Sequence, residues 1–366
     1  MGHAFGLTSA VQNFNRRPAL VTALARRMLG LLTASYFDDF GLIDFSAARG
    51  RGTDVLSGLI GLCGAPQSKS KRYPMAVMRT YLGQVVDLSG VPETAELQFE
   101  PKPNLREELS DELCDMAGLS TVPPARASSA RGRAGWIGSA SYGRYGRMGL
   151  GLLKHFQYAS RPLEVTEEAR YALLSLAGLI LAAPPRRVHL LSPPRTHLVC
   201  YSDASWEADV QPRLGWIIFS PAETHAVIGA SSLVSYQLLD HLVQRKTQIM
   251  ACEGIAVPQA MLRNLGIFRN ADVTWYIDNE AACSSLVRGG SSHEDIGFIA
   301  GATHRIMMEL HCRVWFEWVD SDSNPADGLS RDGCSDEWTM QQQWVLKDET
   351  SLEWHEMCQF CCLPRP

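Results

Sequence analysis

Four acidic residues in the second half of the chain lie on four separate segments of a predicted strand-and-helix domain. They are Asp203, Glu253, Asp278 and Asp327. Carboxylates gathered in one place repel one another, so a folded protein keeps such a group when a cation neutralises it. Oxygen ligands favour Mg²⁺ or Mn²⁺, and two such ions about 3.5–4 Å apart can clamp the attacking and leaving oxygens of a phosphoryl displacement. The pattern therefore indicates metal-dependent nuclease chemistry.

The segments that carry these acids alternate between strand and helix patterns. The predicted elements are strands at 197–205, 214–220 and 225–230, a helix at 246–265, a strand at 272–279, helices at 280–286 and 294–310, and a strand at 312–319. The first three strands form an antiparallel meander, since short polar segments separate them. Asp203 and Asp278 each lie near the end of a predicted strand, and Glu253 lies within the first helix. Asn279 is expected to cap the helix that follows Asp278.

The last acid lies in the segment Asn-Pro-Ala-Asp-Gly-Leu-Ser-Arg at 324–331. Asn324 as cap and Pro325 as first helical residue predict a turn of helix that aims Asp327 at the sheet. Taken singly, each acid has an ordinary alternative: a strand-end turn for the two strand aspartates, a solvent-exposed face for Glu253, and a helix first turn for Asp327. The four together, in this order, favour a site.

The order of elements and acids resembles the ribonuclease H fold with its four-carboxylate centre. The segments at 201–205, 276–282 and 324–331 are similar to the ribonuclease H of retrotransposon reverse transcriptases, the gypsy and DIRS types in particular. The resemblance implies that Asp203 bridges two Mg²⁺ or Mn²⁺ ions, that the other three carboxylates complete their shells, and that the RNA strand of RNA–DNA hybrids is hydrolysed. Some family members use a histidine near the last aspartate for product release, and residues 320–327 contain none.

A second set of motifs lies in residues 1–90. The segment 5–14 leads into a helical pattern, and residues 31–45 predict strand, turn and strand around Tyr36-Phe37-Asp38-Asp39. Adjacent aspartates at a hairpin tip are ordinarily only a polar turn. Together with the lysines near 70 and the Leu-Gly pair at 82–83, however, this region resembles the second half of a reverse transcriptase palm.

The palm resemblance implies metal-binding carboxylates at Asp38 and Asp39. The residues that it implies for nucleic-acid contact are Phe5, Gly6, Gln12, Tyr36, Lys71, Leu82 and Gly83. A polymerase also needs a further metal-binding aspartate and nucleotide-holding fingers upstream of Phe5, where this sequence has four residues. We therefore expect an incomplete palm that does not polymerise DNA unaided.

Residues 91–195 predict a mainly helical region that ends in a proline-rich hinge, and the resemblance to a reverse transcriptase implies that this is its thumb and connection region. Between positions 126 and 147 there are five arginines and no acid, interleaved with aromatic residues. Arginine with aromatic side chains can follow a phosphate backbone and stack on bases. A plain surface stretch is an equal alternative. The candidate nucleic-acid contacts are Arg131, Arg133, Arg144 and Arg147.

The fold class expected from these patterns is α/β: an α+β palm remnant followed by a ribonuclease H-like mixed-sheet domain. The expected divisions are 1–90, 91–195, 196–335 and a tail at 336–366. The tail contains His355, Cys358, Cys361 and Cys362, which could hold zinc, although incidental thiols are the favoured interpretation.

The composition adds bounds on location and partners. A net charge of -5 means that any nucleic-acid surface must be local. Ten scattered cysteines without a secretory signal favour an intracellular chain with reduced thiols, and the longest apolar run, 171–183, is too short to span a membrane. Two alternatives to an active ribonuclease stay open: a catalytically inactive relic that binds nucleic acid, and a subunit complemented by a longer reverse transcriptase chain.

Overall fold

The computed structural model describes residues 8–139, 147–191, 195–207, 210–220 and 227–361. The chain divides into two units, residues 1–82 and 83–366. The division therefore falls inside the Leu82-Gly83 turn rather than at residue 90. Both turn residues have positive φ, 52° and 76°, and glycine adopts such a conformation at little cost.

The first unit contains a short hairpin and two helices. Its elements are α1 (Thr8–Leu29), β1 (Leu32–Tyr36), β2 (Asp39–Ile43), α2 (Arg51–Leu62) and β3 (Met78–Tyr81). Strands β1 and β2 pair antiparallel with Tyr36 opposite Asp39, which confirms the predicted strand, turn and strand. The buried side chains of its core come from the two helices and are Val21, Ala25, Leu56 and Ile60.

The second unit begins with a mainly helical region. Its elements are β4 (Gln84–Asp87), α3 (Val91–Thr94), β5 (Glu96–Pro101), α4 (Pro103–Gly118), β6 (Thr121–Val122), α5 (Pro124–Ser139), α6 (Arg147–Gln157), β7 (Leu163–Glu164), α7 (Glu167–Ala182) and β8 (Arg186–His189). Helices α4 to α7 share one core that includes Leu113, Phe156 and Leu173. Strand β5 lies between β4 and β8 and pairs antiparallel with both.

A six-stranded mixed sheet and the helices around it make up the rest of the second unit. The elements are β9 (His197–Ser205), β10 (Arg213–Phe219), β11 (Val227–Leu233), α8 (Tyr236–Asp240), α9 (Ile249–Arg263), α10 (Leu265–Phe268), β12 (Asp272–Ile277), α11 (Glu280–Arg288), α12 (Glu294–Glu309), β13 (Arg313–Trp318), α13 (Asp327–Arg331), α14 (Glu337–Gln341), β14 (Val345–Asp348) and α15 (Trp354–Cys361). The strand order is β13-β12-β9-β10-β11-β14.

The pairing directions agree with the ribonuclease H-like fold class expected from the sequence. Strands β9, β10 and β11 form the antiparallel meander, and β12 runs parallel to both β9 and β13. Along each strand, successive side chains point to opposite faces of the sheet. Leu198 and Cys200 of β9 and Trp275 of β12 point to the face that packs against the helices. The protein is thus an α/β protein in which the parallel strands end on one side of the sheet.

The segment expected to be a tail belongs to this sheet. Strand β14 pairs parallel with β11, and Leu352 and Met357 are fully buried in the main core. In addition, Arg263 of α9 forms an ion pair of 2.9 Å with Glu356 of α15. The expected division at residue 335 therefore does not separate residues 336–361 from the domain, because these apolar side chains complete its core.

Candidate metal centre

Two neighbouring parallel strands bring Asp203 and Asp278 to the same edge of the sheet. In the pairing of β9 with β12, Ser202 lies opposite Ile277, so that the next residue of each strand is one of the two aspartates. Asp278 is followed by Asn279, whose side chain accepts a hydrogen bond from the Ala282 backbone N–H and caps α11. The cap was predicted from the sequence and is confirmed, and it fixes where the chain turns away after Asp278.

Glu253 reaches the same place from helix α9. Ligand oxygens of Asp203, Glu253 and Asp278 all lie within 4.8 Å of one another. Asp203 is 5% exposed and Glu253 3% exposed, whereas Asp278 is half-buried. Three carboxylates from a strand, a helix and a strand end therefore converge on one small volume that is open on the Asp278 side.

The proximity and burial of these carboxyl groups raise their affinity for protons. Burial raises the pKa of Asp203 from its ordinary value to about 7, and repulsion from Asp278 and Asp327 adds to the effect. The hydrogen bond from Ser330 acts in the opposite direction. Burial also raises the pKa of Glu253 well above its usual range, with further repulsion from Asp203 and Asp278. The group is therefore unfavourable in its fully ionised form unless a cation neutralises it.

Two oxygens of the group lack any hydrogen-bond donor. Oε2 of Glu253 and Oδ1 of Asp278 are buried from solvent and accept no hydrogen bond from an N–H or hydroxyl group of the described residues, although a proton on one carboxyl group could bridge Glu253 and Asp278. Buried polar atoms are nearly always satisfied, so an unpartnered pair on adjacent carboxylates has a physical cause. Hard oxygen ligands of this kind fit Mg²⁺ or Mn²⁺. The residues present therefore fit a divalent metal centre.

The fourth predicted acid lies next to this group but outside it. The Asp327 side chain is 40% exposed and accepts a hydrogen bond of 2.8 Å from Nε of Arg331, its partner in an ion pair one turn along α13. It is close enough to raise the pKa of Asp203 by repulsion. The structure thus brings three of the four predicted carboxylates together and pairs the fourth with an arginine. The metal-binding role of each residue stays a prediction.

The loop before α13 is anchored differently from the prediction. The helix begins at Asp327, two residues later than a start at Pro325, and Asn324 does not cap it. Instead, Nδ2 of Asn324 donates a hydrogen bond of 3.0 Å to the Ser202 carbonyl, and Oδ1 accepts one from the Ala326 N–H. Asn324 is buried, so its amide joins the loop directly to the strand that carries Asp203.

Ser330 supports the centre and was missed in the sequence analysis. Its hydroxyl donates a hydrogen bond to Oδ2 of Asp203, and its carbonyl accepts one of 2.5 Å from Ser205. The motif at 324–331 contained this residue, but only the tertiary contact reveals its partner. Asp203 therefore depends on α13 for the position of its carboxylate.

Gly215 allows helix α13 to lie against the sheet. Gly215 is the pairing partner of Asp203 on strand β10. A Cβ at this position would lie 2.5 Å from the Ser330 nitrogen and 2.8 Å from the Ala326 carbonyl oxygen. Because these neighbours are backbone atoms, they cannot move aside without shifting the helix.

We predict that Gly215→Ala destabilises the second unit by about 1–3 kcal/mol and weakens the centre by moving Ser330 away from Asp203. Thermal unfolding followed by circular dichroism measures the first effect. Gly301→Ala is the matched control, since a Cβ on Gly301 would meet no atom within 4 Å and alanine is favourable within a helix. Equal unfolding temperatures for the two variants would contradict the close approach at Gly215.

The palm candidates of the first unit are not gathered into a site among the described residues. Asp38 and Asp39 are exposed at the tip of the β1–β2 hairpin, and they belong to no group of three acids, histidines or cysteines at ligand distance in the described ranges. Gln12, Tyr36 and Lys71 are exposed as well. Leu82 and Gly83 lie in the turn between β3 and β4 along the chain. Their roles in binding nucleic acid stay predictions.

The arginines of α5 have partners within the helical region. Arg133 forms an ion pair with Glu112 of α4, and Arg126 lies 3.6 Å from the same carboxylate. Arg131 donates a hydrogen bond of 2.7 Å to Gln157 of α6. These contacts support the plain structural interpretation of Arg131 and Arg133, because their head groups connect helices. Arg147, at the start of α6, is exposed.

Several predicted residues, or their side chains, lie outside the described part of the structure. Phe5, Gly6 and Arg144 lie outside the described residues, as does Cys362. His355 is on α15, whose Cys358 and Cys361 side chains are not described, so the zinc interpretation stays untested. The described cysteines are free thiols. No helix in the described ranges combines the length and apolar character needed to cross a membrane.

Comparisons with known proteins give weak structural similarities. No protein-family model matches the chain, and no curated protein matches its sequence. The foamy viral protease-reverse transcriptase in complex with RNA/DNA hybrid is 12% identical, with a TM-score of 0.40 over 87% of this chain and 39% of that one. The same protein with double-stranded DNA has 12% identity and a TM-score of 0.39, over 87% and 60%. RNase H1 from Halobacterium salinarum NRC-1 is 16% identical, with a TM-score of 0.29 over 38% of this chain and 98% of that one.

This chain spans between 39% and 60% of the length of the reverse transcriptase structures to which it is similar. At TM-scores of 0.40 and below, these similarities carry no argument about activity or substrate. We therefore infer function from the strand order and from the carboxylates themselves.

Proposed function

We propose that residues 196–361 form a ribonuclease H domain that hydrolyses the RNA strand of RNA–DNA hybrids with two divalent metal ions. The observation that carries the proposal is the group formed by Asp203, Glu253 and Asp278, in which two buried oxygens accept no hydrogen bond from an N–H or hydroxyl group of the described residues. Two bound Mg²⁺ ions would supply the charge that stabilises the attacking and leaving oxygens of the displacement. Selectivity for RNA would come from the 2′-hydroxyls and the hybrid's shape rather than from base sequence.

The residues of the chain have distinct roles in this proposal. Asp203 is the most enclosed strand carboxylate, and Ser330 fixes its orientation through a hydrogen bond. Glu253 and Asp278 each offer an oxygen without a partner. Asp327 is partly exposed and would become a metal ligand by giving up its ion pair with Arg331. The wider proposal, from the motifs at 5–14, 36–39 and 324–331, is that the chain is part of a gypsy- or DIRS-type retrotransposon reverse transcriptase.

A cleavage assay with a panel of substrates tests this function. The purified chain with Mg²⁺ is expected to cut the labelled RNA strand of an RNA–DNA hybrid. It is expected to leave the DNA strand, single-stranded RNA and double-stranded RNA intact. Tight hybrid binding without cutting, in either Mg²⁺ or Mn²⁺, would instead favour the inactive nucleic-acid-binding relic. Cutting only after a longer reverse transcriptase chain is added would favour the complemented subunit.

The Arg331 ion pair gives a prediction about metal affinity. Because Arg331 neutralises Asp327, it competes with any cation that Asp327 binds. Arg331→Gln is therefore expected to tighten the weaker of two bound ions a few-fold, since partly exposed ion pairs contribute roughly 0.2–1 kcal/mol. Isothermal titration with Mn²⁺ measures this, and Arg331→Lys, which keeps the charge, should resemble the wild type. Unchanged or weaker Mn²⁺ binding by the glutamine variant would show that Asp327 binds no ion.

A further inference from the structure

The end of helix α6 forms a basic hollow that the carboxylate centre does not use. Its volume is about 500 Å³, and all of its lining residues belong to one continuous stretch, 151–163. The polar lining residues are Lys154, His155, Tyr158, Ser160 and Arg161. We call this feature the α6 hollow. It lies in the second unit, the same unit as the carboxylate centre.

The basic side chains of the α6 hollow have no acidic partner among the described residues. Lys154, His155 and Arg161 are exposed, form no ion pair with a described side chain, and share the hollow with no acidic residue. The arginines of the adjacent helix α5 differ, because Arg126 and Arg133 are paired with Glu112. Basic residues in the last turn of a helix interact favourably with its C-terminal carbonyls, which accounts for Lys154 and His155 alone. Arg161 lies beyond the helix, where this effect has faded.

The aromatic ring of Tyr158 lies among these basic side chains. The Tyr158 side chain is 70% exposed. Exposed cations beside an aromatic surface suit the phosphates and the sugars or bases of a nucleic-acid strand. A small anion is a poorer fit, since small-ligand sites bury most of their ligand whereas every charged group here faces solvent.

The protein as a whole repels such a strand, so the α6 hollow matters for binding. The net charge is -5, and a polyanion is therefore attracted only where cations are locally in excess. The hollow is also well anchored: Leu153 and Phe156 of α6 are buried in the helical core, and α6 packs against both α7 and α12. The α6 hollow is thus anchored to α12, which in turn packs against α9, the helix that carries Glu253.

We propose that the α6 hollow binds the phosphate backbone of a nucleic-acid strand, through Lys154 and Arg161, with Tyr158 against the adjacent sugar or base. The proposal rests on the proposed function, because the strand would belong to the RNA–DNA hybrid that the carboxylate centre cleaves. It adds a contact surface distinct from the arginines of α5, which connect helices.

Salt-dependent binding tests this proposal without requiring cleavage. The affinity of the full chain for a labelled RNA–DNA hybrid is measured by fluorescence anisotropy, in EDTA, over a series of salt concentrations. Each phosphate contact contributes about -0.9 to the slope of log affinity against log salt. The double variant Lys154→Gln/Arg161→Gln is expected to lose about two units of slope and to bind roughly tenfold more weakly at moderate salt.

A second double variant provides a control with the same change in net charge. Lys347→Gln/Arg269→Gln removes two exposed cations that lie outside the hollow and form no ion pair with any residue the structure describes, so it should keep the slope of the wild type. The proposal is overturned if the hollow variant keeps the wild-type slope, if both double variants lose the same slope, or if the wild type does not bind the hybrid. It is also overturned if inorganic phosphate saturates the hollow while the hybrid slope stays unchanged, since that result identifies a small-anion site.

These outcomes separate the hollow from the cleavage function. A wild-type protein that binds the hybrid with the expected slope but never cuts it contradicts the ribonuclease and leaves the hollow standing. A protein that cuts the hybrid, but whose slope the hollow variant does not change, contradicts the hollow alone.

Discussion

Replacing Asp203 by asparagine is expected to abolish cleavage of an RNA–DNA hybrid, lowering kcat by about 10³ or more. Asparagine keeps the shape of the side chain and can still accept the hydrogen bond from Ser330, but it removes the charge that two cations would share. Stabilisation by bound metal ions amounts to several kcal/mol, and each 1.4 kcal/mol corresponds to about tenfold in rate. Initial cleavage rates under saturating substrate measure the effect.

Two further variants make this result specific. Glu253→Gln should lose a comparable amount of activity, because its carboxylate lies in the same group. Asp240→Asn changes an exposed aspartate of the same domain that is in no ion pair within the described part of the chain, and this variant should retain full activity. Circular dichroism should show the native fold in all three variants. A rate for Asp203→Asn within tenfold of the wild type would remove Asp203 from the reaction.

The second large effect is on the stability of the metal-free protein. The pKa of Asp203 is raised in the folded state to about 7, whereas in the unfolded chain it has its ordinary value near 4. Between these values the folded state binds more protons than the unfolded state, so the free energy of unfolding falls as the pH rises. At about 1.4 kcal/mol for each pH unit in this window, the loss reaches roughly 4 kcal/mol.

Urea unfolding in EDTA across this pH range checks the expected fall. The informative quantity is the difference between the wild type and Asp203→Asn, because the neutral variant lacks this proton and should show a flatter curve. Saturating Mg²⁺ should restore stability above the Asp203 pKa in the wild type alone, since a ligand that binds only the folded state stabilises it. Parallel curves for the two proteins, with and without Mg²⁺, would contradict a raised pKa of Asp203 in the folded state.

The strands that carry the two aspartates were predictable because their signals are local. Short apolar runs that close on an aspartate identify β9 and β12, and the helical spacing around Glu253 identifies α9. Bringing Glu253 between the two aspartates, however, depends on how α9 packs over the sheet. The sequence order allowed that arrangement without specifying it, and the resemblance to ribonuclease H supplied the expectation.

Other features depend on partners that are distant along the chain. Strand β14 has four residues and no clear alternation, so nothing local shows that it pairs with β11. In the sequence, the arginines of α5 resemble a nucleic-acid-binding surface, because their partner Glu112 lies on the neighbouring helix α4. The Asp327–Arg331 pair was local, being four residues apart on one helix, and the usual rule for helical ion pairs could have revealed it.

Binding of Mn²⁺ to the purified chain tests the central claim, that these carboxylates form a divalent metal centre, most directly. Electron paramagnetic resonance counts bound Mn²⁺ independently of any activity, at a pH above the Asp203 pKa. We expect the wild type and Asp240→Asn to bind two ions, and Asp203→Asn to lose them at the same Mn²⁺ concentration. A wild type that binds no Mn²⁺, or an Asp203→Asn variant that binds it equally well, would contradict the claim.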